Sequence, residues 1–102
     1  MRTLSIAALI LASPVASAQT LVERSPFCIS EYAIQTFVGA IERDNAGMMQ
    51  ILRQSGLCDL LRRGLAFEII LRRDDILQVR AYPPEGGPVD IWVTIDALGA
   101  AI

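Results

Sequence analysis

Leu65-Ala66-Phe67-Glu68-Ile69-Ile70-Leu71-Arg72-Arg73-Asp74-Asp75-Ile76-Leu77-Gln78-Val79-Arg80-Ala81-Tyr82 holds two runs of alternating side chains separated by a short charged turn. Leu65, Phe67, Ile69 and Leu71 alternate with Ala66, Glu68, Ile70 and Arg72, a period of two and therefore a strand. Leu77, Val79 and Ala81 repeat the pattern, and Val89, Ile91 and Val93 carry it into a third strand. Arg73-Asp74-Asp75 and Pro83-Pro84-Glu85-Gly86-Gly87 separate these runs, with Asp and Gly where turn geometry needs them. The expected product is a three-stranded antiparallel sheet over about residues 65–94.

Pairing the apolar rows across the first turn makes Arg73–Asp75 a three-residue loop, with Asp75 in the left-handed region. Arg72 then lies opposite Ile76, and Glu68 opposite Arg80. Matching Ala81 to Val89 sets Arg80 opposite Asp90, so Glu68, Arg80 and Asp90 form a charge ladder across three strands. Its role is register, because a slip of one residue would turn the whole apolar row outward. The same row sets Gln78 between Ile70 and Trp92. Trp92 has the opposite parity to Ile91 and Val93, so it points away from their face. With Gln78 and Tyr82 it is the candidate contact site for a peptide or sugar. The competing expectation is that Trp92 covers apolar neighbours, or that the sheet curls to bury it.

Upstream, the period changes. Ser30 is an N-cap and Glu31 an acid in the first turn, followed by Ile34, Phe37, Val38 and Ile41 at helical spacing. Asp44-Asn45-Ala46-Gly47 ends that helix. A shorter one is expected over Met48–Gln54, closed by Gly56. Met48 and Met49 read as core filling. The spacing thus predicts a helical hairpin over about 30–56, and Cys28 and Cys58 flank it at neighbouring ends.

Those are the only two cysteines. One intramolecular bridge is expected, worth about 3–4 kcal/mol in the chain-entropy model, with intermolecular pairing as the alternative. The fold class that follows is α+β: an N-terminal helical hairpin packed on a small three-stranded antiparallel sheet.

The first eighteen residues read as a signal peptide. Arg2 precedes the short apolar run Leu4–Leu11, Ser13 and Pro14 break it, and Ala16-Ser17-Ala18 offers a cleavage site. Cleavage leaves one domain, 19–102, in an oxidising compartment where a disulfide persists. The expected location is periplasmic or secreted. Gln19–Pro26 reads as a polar, extended lead-in.

Gly64 before a strand, Val79-Arg80 in the next and Trp92-Val93 in the third resemble the small bacterial Src-homology-3-like barrels of exported proteins, over residues 58–98. The resemblance implies a compact antiparallel sheet, a reduced barrel, and binding to peptides or cell-wall polymers. It transfers no binding residues.

All nine basic residues are Arg, and there is neither Lys nor His. The commonest general base and metal ligand are therefore absent, as are a Schiff-base lysine, a phosphate loop and a nucleophile elbow. Asp74 and Asp75 are adjacent turn residues, unlike two carboxyls held about 5–9 Å apart across a cleft. No enzyme, cofactor or metal is expected. Loss of Arg2 leaves eight bases against eleven acids, net −3, which argues against nucleic acid and against a polybasic membrane footprint. Arg62-Arg63 and Arg72-Arg73 sit at element boundaries, where solvated charges are ordinary. The sequence therefore points to a small non-catalytic binding or interaction module of the bacterial envelope, its partner a protein, peptide or cell-wall polymer. The alternatives are an accessory structural subunit of an envelope assembly and, less favoured, a carboxylate-dependent hydrolase.

Overall fold

A computed structural model describes residues 19–101; the expected signal peptide lies outside the described residues. The elements in chain order are β1 (Pro26–Cys28), α1 (Glu31–Glu42), α2 (Ala46–Gln54), β2 (Cys58–Leu60), β3 (Ala66–Arg73), β4 (Ile76–Tyr82), β5 (Val89–Thr94) and a closing 3₁₀ segment, Ile95–Ala101. The strands form one antiparallel sheet in the order β2-β1-β5-β4-β3. This corrects the expected fold class: the sheet has five strands rather than three, and the helices lie between β1 and β2 rather than ahead of the sheet. The two missed strands, Pro-Phe-Cys and Cys-Asp-Leu, are three residues each. No period can be read in so short a run, and only their pairing with each other and with β5 makes them strands.

The helices form for local reasons. The Ser30 hydroxyl accepts from Ala33 N–H at 3.1 Å, and the Asn45 side chain from Met48 N–H at 3.1 Å, so each helix has a working N-cap. Between them Asp44 turns the chain at φ 54°, and Gly56 at φ 84° ends α2. α1 buries Ala33, Ile34, Phe37 and Ala40, and α2 buries Leu52.

The sheet is apolar on both faces. One carries Leu77, Val79, Ala81, Ile91 and Val93, closed over by Leu21, Leu61, Ala97 and Leu98. On the other, Cys28, Cys58, Ile76 and Trp92 meet Ala33, Ile34, Phe37 and Leu52 of the helices, with Met48 and Met49 packed alongside. The lead-in belongs to the core rather than running free. Leu21 is fully buried, its N–H donates to Leu65 O at 2.9 Å, and Val22 N–H reaches Ala97 O at 2.8 Å. Thr20 bridges Ala66 on β3, while Arg24 N–H donates to Leu61 O just beyond β2. One segment therefore ties together both ends of the sheet order.

The β3–β4 hairpin also differs from its expected form. Glu68 lies opposite Arg80 and Phe67 opposite Ala81, but Ile70 is an extra residue between Ile69↔Val79 and Leu71↔Gln78. After this bulge Arg72 faces Leu77 instead of Ile76. The turn contracts to Asp74-Asp75, and Asp74 (φ 56°), not Asp75, takes the left-handed conformation. A bulge switches parity within a strand. Alternation alone does not reveal it when Ile69, Ile70 and Leu71 are all apolar.

Candidate functional site

The sequence-derived contact site does not lie on an open surface. Trp92 keeps only 8 % of its surface exposed, beneath the helical hairpin beside Cys28, Cys58 and Ile34. Its parity is as expected, opposite to Ile91 and Val93, but the face it occupies is a second core and not a solvated one. Gln78 is half-buried between Leu71 and Trp92, not Ile70. Tyr82 is exposed and pairs with Ala66 at the far end of β4. The three do not converge.

Where the helices stop covering this face, the charged row begins. Arg80 is flanked by Glu68 on β3 and Asp90 on β5. It holds Asp90 in a two-pronged contact, Nε to Oδ1 at 2.8 Å and Nη2 to Oδ2 at 3.2 Å. Glu68 instead accepts from the Tyr82 hydroxyl. The Arg80 guanidinium holds the Asp90 carboxyl below its ordinary value. The bond to Glu68, with burial second, raises the Tyr82 phenol above its usual 10.0. Asp90, with a depressed folded value, contributes stability above the ordinary Asp range that disappears as pH falls through its folded value. Tyr82, with a raised value, contributes stability below pH 10 that disappears as pH rises through its folded value. In an absorbance titration, one phenol is therefore expected to ionise above the ordinary range, and Glu68→Gln should bring it down. An unchanged curve in Glu68→Gln would show that this contact does not form.

The remaining charged candidates separate similarly. Arg73 is engaged with Glu31 of α1 at 3.0 Å to both carboxylate oxygens. Asp74 and Asp75 are exposed turn residues. Cys28 and Cys58 are joined in a disulfide and sit directly opposite each other on β1 and β2. No group of three or more His, Cys, Asp or Glu gathers among the described residues.

The concave surface that the fold builds surrounds β2, where no sequence signal pointed. A groove of about 810 Å³ runs between α2 and the β1–β2 edge, floored by Phe37, Ile41, Met49, Pro26 and Leu60. Arg24 and Arg53 stand on its rim with Gln50 and Gln54. Two smaller clefts continue from it past Asp59 and Leu60, of about 440 Å³ toward Arg62, Arg63 and Pro84, and of about 300 Å³ toward Glu23 and Arg62. Arg53 is paired with Asp59 at 3.3 Å, and Asp59 also accepts from Leu60 N–H at 2.8 Å. Arg24 forms no ion pair among the described residues. Its φ of 73° is a left-handed conformation that a long side chain adopts at a cost. The bond from Arg24 N–H to Leu61 O, at 2.7 Å, holds that conformation. Arg24, strained and without an ion pair among the described residues, thus stands at the mouth of an apolar groove.

Against known protein families, characterised proteins and solved structures, the chain finds no match. What the fold and site define is a small disulfide-bonded protein with a five-stranded antiparallel sheet, a helical hairpin on one face and a basic-rimmed apolar groove. Among the described residues no helix is long and apolar enough to cross a membrane.

Proposed function

We propose that this protein is an exported, non-catalytic binding module of the bacterial envelope. The groove beside β2 is its binding site. The occupant is an extended segment of a peptide or cell-wall polymer that combines an apolar group with a carboxylate. The observation that carries this reading is the Arg24 rim of the 810 Å³ groove. Phe37, Ile41 and Met49 offer apolar area to a side chain, and Met adapts to irregular shapes. Arg24 can take a carboxylate by two parallel hydrogen bonds, the geometry that guanidinium favours. The disulfide supports an oxidising, extracytoplasmic location. The absence of Lys and His from the whole chain supports binding without catalysis.

The test exploits the strain at Arg24. Arg24→Gly relieves the left-handed backbone and removes the cation, so the variant should be as stable as the parent or gain up to about 1 kcal/mol. Acidic peptides carrying one apolar side chain, titrated by chemical-shift perturbation, should move Met49, Leu60 and Arg53 resonances in the parent. They should bind Arg24→Gly at least roughly tenfold more weakly, and binding should fall with salt. If the same peptides bind both forms equally, or perturb only residues away from β2, the groove is not the site.

A further inference from the structure

We infer that β3 is a self-association edge, and that its occupant is the β3 strand of a second copy of this chain, antiparallel about a two-fold axis. The two edges of the sheet are treated differently. β2 is three residues long, and its Leu60 N–H is already taken by the Asp59 carboxylate. β3 is eight residues long, and Thr20 covers its outer side only at Ala66. From Glu68 to Arg73 no strand lies on that side among the described residues. This open length carries Ile69, Ile70 and Leu71, which are 52, 44 and 37 % exposed. A long edge with three consecutive apolar side chains invites strand pairing.

The geometry singles out a copy of itself. Leu65 O accepts from Leu21 on the outer side, so alternation turns the main-chain groups of Phe67 and Ile69 outward as well. Arg73 and Ile76 close the two-residue turn and face each other, which leaves Arg72 outward beyond the bulge. With the two-fold placed between Ile70 and Leu71, the outward groups of Ile69 meet those of the second copy's Arg72, and the reverse. Ile70 then meets Leu71, and Glu68 meets Arg73, each twice. Side chains agree too. Glu68 and Arg73 share a face through their partners Arg80 and Ile76, and Ile69 and Arg72 share the other through Val79 and Leu77. The pairs 68/73 and 69/72 differ in parity, so an unbulged strand could not present them on matching faces. The extra residue at Ile70 is what makes β3 self-complementary.

The charges agree as well. Antiparallel pairing sets the acid at one end of β3 against the bases at the other, whereas parallel pairing would stack like on like. Arg73 meets Glu31 through Nη1 alone, so its remaining donors can reach the second copy's Glu68.

The contact is small, so the dimer should be weak, with a dissociation constant of roughly 1–100 µM. Sedimentation equilibrium of the oxidised protein should show monomer and dimer exchanging with concentration. Hydrogen exchange at the Ile69 and Arg72 amides should slow as the dimer fills, while Cys58 and Leu60 amides stay unchanged. Ile70→Lys and, separately, Glu68→Arg should each raise the dissociation constant at least roughly tenfold, and unchanged Trp92 emission will show that each variant is folded. A protein still monomeric at about 1 mM overturns the proposal. So does a dimer whose Ile69 and Arg72 amides exchange as in the monomer, and so does β3 protection that arises only from a different, copurifying protein.

Discussion

Cys28→Ala or Cys58→Ala will lower stability by about 3–4 kcal/mol. For a domain of this size that shifts the melting temperature by roughly 12–30 °C. The bond joins β1 to β2 directly across the ladder, between residues 30 apart in sequence. That loop contains both helices. Opening it removes a constraint on the hairpin and on two strands of only three residues each. Both half-cystines are buried in the cluster beneath the helices, at 0 and 2 % exposure, so the loss also leaves a packing defect. Thermal melts with and without reductant make the measurement. A reduced parent melting within a few degrees of the oxidised one would remove the disulfide as a structural staple. Two free thiols in the unfolded, unreduced protein would mean that it does not form.

Trp92→Ala will cost about 3–5 kcal/mol, the range for truncating a large buried aromatic side chain. Trp92 lies on the central strand of the sheet and touches the layer formed by Ala33, Ile34, Phe37 and Leu52. It is the largest side chain between sheet and helices, and its removal opens a cavity that rigid neighbours cannot fill. Trp92→Phe should cost less than half as much. The sole indole should emit at short wavelength and resist iodide and acrylamide quenching in the folded protein. A long-wavelength, readily quenched emission would restore Trp92 to an open surface and would contradict the two-core arrangement.

These two residues mark where reading the chain stopped being sufficient. Ser30 and Asn45 act within three residues of themselves, so caps, helices and the turns at Asp44 and Gly56 are written locally. Leu77, Val79, Ala81, Ile91 and Val93 alternate over enough length to define strands and one buried face. The pairings Glu68↔Arg80 and Arg80↔Asp90 follow from that alternation because only one register buries the apolar row. With two cysteines, a bridge between Cys28 and Cys58 was likewise the single intramolecular choice.

What lay beyond the sequence depends on contacts between distant segments. Pro26–Cys28 and Cys58–Leu60 become strands only because β5 and the disulfide hold them, so the sheet's width and the helices' place between its strands were invisible. The burial of Trp92 follows from that place: its parity is a property of the strand, but which face is wet depends on where the hairpin packs. The bulge at Ile70 depends on how β3 meets β4, since three consecutive apolar residues satisfy either register. The groove at Arg24 is built from the lead-in, both helices and the strands β1 and β2, segments that share no local signal. Periodicity and capping are decided within a few residues, by backbone geometry and the nearest side chains. The wet face, the bulge and the groove are decided by what one segment buries of another, and that exists only once the chain has closed on itself.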